Sequence, residues 1–123
     1  MEIAKNKTVL VVEDDFAIRS NLRLLLSAAG YAVQQAKNGQ EALNIMQTQH
    51  ELPTLVLLDI MMPVMDGWQF RKHQIKDQRL AAIPVIVMTA DGHAEQKSLE
   101  LEAQGYVRKP IDIDSFLDLV AKF

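Results

Sequence analysis

The sequence predicts an open α/β sheet of five parallel strands in the order 2-1-3-4-5, with helices on both faces. Three observations carry that expectation. Strand-like and helix-like segments alternate five times along the chain. Thr8–Val12, Leu55–Leu58 and Val85–Met88 are short and rich in Val, Ile and Leu, as parallel strands covered on both faces are. Finally, four runs stop on residues of a common chemistry: Glu13-Asp14-Asp15, Asp59, Thr89 and Lys109-Pro110. In a parallel sheet those stops share the carboxyl edge, where open α/β folds bind ligands.

Taken in order, Thr8–Val12 is the first strand. Phe16–Ala29 places Ile18, Leu22, Leu25, Leu26 and Ala29 at helical spacing, and Gly30 follows as a left-handed stop. Ala32–Ala36 is mixed in polarity, which suits a second strand at an edge. Asn38 caps a second helix, with Glu41 at the third position and Ala42, Ile45 and Met46 facing the core. Leu55–Leu58 is the third strand, and Asp66-Gly67 precedes a third helix over Trp68–Ile75. Arg79–Pro84 reads as the loop before the fourth strand, Val85–Met88. A fourth helix is expected over Ala94–Ala103, and the mixed segment Tyr106–Lys109 is the other edge strand. The fifth helix starts at Asp112 and buries Ile113, Phe116, Leu117 and Val120.

Composition narrows the function classes. With 123 residues, 49% apolar and 24% charged, the chain can bury one good core, so residues 1–123 read as a single domain. It has no Cys, which removes disulfide frameworks, thiolate metal sites and Cys nucleophiles and fits a reducing compartment. Residues Met1–Lys7 lack the apolar core of a signal peptide, and no later stretch has the length of a membrane span, so a cytoplasmic location without membrane contact is expected. A net charge of −3 and no basic run argue against direct nucleic-acid binding.

Glu13, Asp14 and Asp59 gather three carboxylates at strand ends, where each would be driven toward protonation without a cation. A hard divalent ion is the simple remedy. Magnesium takes oxygen ligands, usually one or two of them protein carboxylates; Asp14 and Asp59 suit that role, with Glu13 assisting through water. The acidic run also suits the cap of the helix beginning at Phe16. Asp59, ending an apolar strand, is placed to attack a phosphoryl donor and form an aspartyl phosphate. Catalysis of that transfer is mainly positioning and charge neutralisation. The Thr89 hydroxyl and the Lys109 ammonium could meet two phosphoryl oxygens, with small Ala90 leaving access.

These motifs resemble the receiver domain of two-component response regulators over essentially the whole chain: VLVVEDD, LLDIMMPVMDG, VIVMTA and YVRKP. The resemblance implies a flavodoxin-like fold of the chemotaxis-regulator type and a signalling phosphoacceptor, not an enzyme, that assists its own phosphorylation and dephosphorylation. It implies Asp59 as phosphoacceptor, Glu13 and Asp14 as the acidic pair, the Met61 backbone carbonyl as a further Mg2+ ligand, and Thr89, Tyr106 and Lys109 as signalling residues. It also implies a cis Lys109-Pro110 bond. Where the family reads close to LEAGADDYLTKP this chain has LEAQGYVRKP, two residues shorter between the fourth helix and fifth strand.

The implied partners are a histidine kinase or histidine phosphotransfer protein and a downstream protein of unknown identity. The fifth helix offers Asp112, Asp114 and Asp118 against Lys122 alone, so symmetric pairing would oppose acids and a monomer is expected. Other readings are a receiver excised from a hybrid histidine kinase, a degenerate receiver that binds without phosphorylation, a small phosphatase, or a flavin-binding relative. Met61 stands where a phosphatase would want a second Asp, and the loop after the first strand is acidic where a flavin phosphate would want Ser, Thr or Gly. His50, His73 and His93 lack metal-ligand spacing and are expected to face solvent; Met61, Met62 and Met65 are expected to pack the phosphoacceptor loop, and Trp68 to be partly exposed.

Overall fold

A computed structural model describes residues 7–90 and 92–123; most of the amino-terminal stretch read above for a leader lies outside them. The elements follow in strict alternation: β1 Thr8–Val12, α1 Phe16–Ala28, β2 Ala32–Ala36, α2 Gly39–Thr48, β3 Leu55–Asp59, α3 Gly67–Lys76, β4 Val85–Thr89, α4 Ala94–Glu100, β5 Gly105–Arg108 and α5 Ile113–Val120. The strands form one parallel sheet in the order β2-β1-β3-β4-β5.

Alternation of side chains along the strands splits the interior into two cores. Leu10, Val12, Val56, Leu58, Val85 and Val87 point to one face, where Ala42, Met46, Phe70 and Leu101 cover them. Val9, Val11, Leu55, Leu57, Ile86 and Met88 point to the other, under Leu22, Leu26, Phe116 and Val120. So α1 and α5 cover one face, and α2, α3 and the end of α4 the other. That distribution follows from crossover handedness: the chain moves one way from β1 to β2 and the opposite way from β2 through β5, so right-handed connections put their helices on opposite faces. The reversal leaves a crevice at the carboxyl ends of β1 and β3.

The edge strands are the two that tolerate polar residues, with β2 and β5 largely exposed or half-buried, while β3 and β4 are buried throughout. Caps set the helix starts as the sequence suggests. Asn38 accepts from the Glu41 backbone N–H at 2.9 Å, but Glu41 reaches the Lys37 N–H at 2.8 Å, one residue further out than a capping box requires. Asp66 and Gln69 form a complete capping box at the start of α3.

Three expectations need correction, one being that Met61 packs the phosphoacceptor loop, since it is 70% exposed. The fourth helix ends at Glu100, not Ala103, because Glu102 adopts φ 56° and turns the chain so that the Ala103 N–H bonds the Ser98 carbonyl at 2.9 Å. Ile113 is 49% exposed; it occupies the first position after the Asp112 cap, ahead of the turn that meets the sheet through Phe116 and Val120. His50, His73 and His93 are exposed, Trp68 is 38% exposed, and of the three methionines Met62 is buried, Met65 packs on the core and Met61 faces solvent. Among the described residues no helix is long and apolar enough to cross a membrane.

Candidate functional site

The crevice at the carboxyl edge is a cleft of about 690 Å3 lined by Glu13, Asp14, Asp15, Ile18, Asp59, Met61, Thr89, Ala90, Lys97 and Lys109. Of the residues singled out from the sequence, Glu13, Asp14, Asp15, Asp59, Met61, Thr89 and Lys109 line it, while Pro110 and Tyr106 do not. One carboxylate oxygen from each of Glu13, Asp14 and Asp59 lies within 4.8 Å of the others.

Each side chain is held by its own local structure. Glu13 follows β1 directly; its backbone N–H bonds the Ala36 carbonyl at 3.0 Å, and its side chain is 1% exposed. One Glu13 oxygen accepts from the Asp15 N–H at 3.1 Å and the other from Lys109 Nζ at 2.5 Å. Asp15, not Glu13 or Asp14, caps α1 by accepting from the Ile18 N–H at 3.0 Å. Capping therefore falls to Asp15, while the Glu13 and Asp14 side chains line the cleft.

Asp59 closes β3 and is 5% exposed. The loop after it is fastened to α3 by a 2.8 Å bond from the Gly67 N–H to the Ile60 carbonyl. A Cβ on Gly67 would lie 2.8 Å from Ile60 Cα and 3.1 Å from the Asp59 carbonyl, so only glycine permits this approach. Val64 sits at the loop's outer turn with φ 67°, a left-handed conformation that is strained for a β-branched residue.

Thr89 ends β4 and is 3% exposed; its carbonyl accepts from the Lys109 N–H at 3.0 Å, which ties the lysine backbone beside the threonine. The Lys109-Pro110 bond is cis, as the resemblance implied. Lys109 Nζ lies 3.5 Å from Asp59 Oδ1, so one ammonium bridges two of the three acids. Tyr106 stands apart from the cleft, half-buried on β5, with the Arg108 guanidinium 5.8 Å from its ring centroid.

Electrostatics record the crowding. Burial and then the Glu13 charge push the Asp59 carboxyl from an ordinary 3.8 up to about 7, against the lowering effect of Lys109. Burial alone would lower the Lys109 pKa, but the hydrogen bond to Glu13 and the charges of Asp59 and Glu13 outweigh it and hold the value above an ordinary lysine's. An oxygen-only donor set of two buried carboxylates and the exposed Asp14, with surplus negative charge, fits a hard divalent cation.

One positioning residue escaped the sequence reading. Arg19 on α1 reaches back to donate to the Glu13 carbonyl at 2.7 Å and the Asp14 carbonyl at 3.4 Å, while its guanidinium stacks 5.5 Å from the Phe16 ring centroid. It fixes the backbone that presents both acids. The usable signal was a basic residue one turn into a helix whose preceding loop is acidic.

The family model described as the response regulator receiver domain matches residues 9–121. The chain is 45% identical over 112 residues to the protein named "Probable transcriptional regulator ycf27" from Cyanophora paradoxa, covering 89% of this chain but 44% of that one, so it spans less than half of that relative. It is 40% identical over 121 residues to sporulation initiation phosphotransferase F of Bacillus subtilis, covering 96% of this chain and 94% of the relative. Among solved structures it resembles response regulator protein TrrA from Thermotoga maritima in complex with Mg(2+)-BeF, at 32% identity and a TM-score of 0.82 over 94% of this chain and 97% of that one. Sheet order, acidic cleft and these matches agree, and the chain belongs to the response regulator receiver domain family of two-component signalling.

Proposed function

We propose that Asp59 accepts a phosphoryl group from a histidine kinase or a histidine phosphotransfer protein, and that the modified domain signals by changing which protein it binds. The carrying observation is the buried Asp59 carboxylate, within 4.8 Å of two further acids and 3.5 Å from a lysine ammonium. Glu13, Asp14 and Asp59, with the Met61 carbonyl, are the residues that would hold Mg2+. When bound, that ion supplies positive charge against the carboxylates and the phosphoryl oxygens.

Asp59 attacks phosphorus, the new O–P bond forms as the P–N bond of the donor breaks, and the imidazole leaves with the electron pair. Lys109 moves between carboxylate and phosphoryl oxygen over a short distance, because it already touches Asp59 and Glu13. Thr89 offers its hydroxyl from the neighbouring strand end, and Tyr106 on β5 reports the change to the surface around α4 and α5. With acetyl phosphate and Mg2+, intact mass is expected to rise by one phosphoryl group, and Thr89→Ala to retain that uptake. Equal labelling in chelator would sink the magnesium-dependent reading.

The phosphorylated domain is proposed to stay monomeric and to act on a different protein without itself binding DNA. Asp112, Asp114 and Asp118 are all exposed on α5, so a two-fold pairing through that helix would set acid against acid. Analytical ultracentrifugation with beryllofluoride and Mg2+ is expected to show one monomeric species; a shift to dimer on activation would overturn this point.

A further inference from the structure

A groove of about 360 Å3 lies between α3 and the end of α4, and none of its residues lines the acidic cleft. Its α3 wall is one helical stripe: Trp68, Lys72 and Ile75 recur at spacings of four and three and span about 10 Å of helix. Its other wall is Glu100, Leu101 and Glu102. Arg71 lies beneath and directs its guanidinium inward, to the Leu101 and Glu102 carbonyls and to Gln74, so the floor is left to apolar surface. Trp68 and Ile75 remain 38% and 44% exposed there. A large aromatic side chain ringed by charged residues is a common anchor for a protein partner.

The two rims of the groove carry opposite charge. Lys72 stands on the α3 rim, and Glu100 and Glu102 stand on the other, all three exposed. Among the described residues, Lys72 forms an ion pair with neither glutamate, although all three line the same groove. The groove holds these charges apart, so a segment seated between them can meet the lysine with a carboxylate and the glutamates with a cation. An amphipathic helix presents that combination, because an apolar stripe at i, i+3, i+4 and i+7 leaves two separate flanks for charge. A second copy of this chain suits the groove poorly. Two copies would meet groove to groove with no ridge to fill either, and the exposed acids of α5, Asp112, Asp114 and Asp118, would oppose Glu100 and Glu102.

We propose that this groove docks an amphipathic helix of a partner protein, with its apolar stripe between Trp68 and Leu101, carboxylates toward Lys72 and basic side chains toward Glu100 and Glu102. Docking here does not depend on Asp59 being the phosphoacceptor. Trp68 is the chain's single tryptophan, so its emission reports on the groove. The probes are two synthetic helical peptides without Trp that share one stripe of Leu. One carries Glu on one flank and Lys on the other; the second carries Lys on both. Each is titrated into the intact chain, followed by fluorescence and calorimetry, for the parent, Lys72→Glu, Lys122→Glu and Trp68→Ala.

The parent is expected to shift its Trp68 emission and to bind the mixed peptide about fivefold more tightly than the all-Lys peptide. That order runs against the chain's net charge of −3, which attracts the more basic peptide from a distance. Lys72→Glu makes both rims acidic and should reverse the order. Lys122→Glu changes the net charge equally but lies on the far end of α5, and should keep the parent's order. Trp68→Ala, with unchanged circular dichroism, should bind the mixed peptide about tenfold more weakly by calorimetry. Failure of the parent to bind the mixed peptide, an order unmoved by Lys72→Glu, or the same reversal in Lys122→Glu would overturn the proposal. Sedimentation showing a dimer that Trp68→Ala dissociates would give the groove to a second copy and overturn it too.

Discussion

Replacing Asp59 with Asn is expected to abolish phosphoryl uptake and, in chelator near pH 8, to stabilise the fold by about 2 kcal/mol. The two effects share a cause. Above its folded pKa of about 7, Asp59 is a buried carboxylate facing Glu13, with Lys109 only partly compensating. Because the folded value is raised from 3.8, the folded chain binds this proton more tightly than the unfolded chain. The associated stability is fully present below about pH 4 and is lost as pH rises through 7. The full shift would be worth about twice the stated figure, and the discount allows for solvent at the mouth of the cleft.

Asparagine keeps the shape without the charge. Its chelated stability should therefore be flatter between pH 5 and 8 than the parent's, and urea melts at both pH values measure the difference. Magnesium works in the opposite sense, since it must displace the Asp59 proton. Its affinity in the parent should fall up to about tenfold per pH unit below 7. If Asp59→Asn is no more stable than the parent at pH 8 in chelator, the carboxylate is not under the strain that the geometry implies.

What was legible in the sequence was whatever a strand expresses locally. An apolar run that stops on Asp59 or Thr89 states both its burial and its edge, because parallel strands carry their ends to a common side. Edge strands showed themselves as mixed runs, and Asp15 and Asn38 appear as caps because capping is a matter of three residues, whereas Asp112, read as the first residue of the fifth helix, is its cap. Non-local pairings stayed hidden. Arg19 is a surface-like residue until its loop folds back on it. Lys97 reads as a solvated helix position, and only the docking of α4 on β5 turns its flank to the cleft. The end of α4 was misplaced because Glu102 adopts the left-handed conformation usually left to Gly or Asn, so the sequence carries no stop signal there.

The largest hidden feature is a polar cluster inside α3, and disrupting it is expected to cost about 3 kcal/mol. Arg71 is 6% exposed and Gln74 fully buried, on the helix face that packs toward α4 and the loop before β4. Arg71 donates from Nε to the Leu101 carbonyl at 2.9 Å, from Nη2 to the Glu102 carbonyl at 2.7 Å, and from Nη1 to Gln74 Oε1 at 2.9 Å. Gln74 Nε2 in turn donates to the carbonyls of Leu80 and Ile83 at 3.1 and 3.0 Å. The guanidinium thus satisfies carbonyls at the end of α4 that the early turn at Glu102 would otherwise leave bare. Burial lowers the Arg71 pKa from its ordinary value while the Glu102 carboxylate opposes the change.

Arg71→Met keeps the apolar stem but strands three acceptors, two of them buried, and should speed amide exchange at residues 98–103 as well as lower the melting temperature. Gln74→Leu alone strands the Ile83 carbonyl and one Arg71 donor, while the Leu80 carbonyl keeps the Ile83 N–H at 3.1 Å. The double variant loses the Arg71–Gln74 bond only once, so its cost should fall short of the two single costs together by about 1 kcal/mol. Strict additivity would show that the two side chains act separately. An Arg71→Met protein with parent-like stability and exchange would show that α4 is held by its apolar contacts alone.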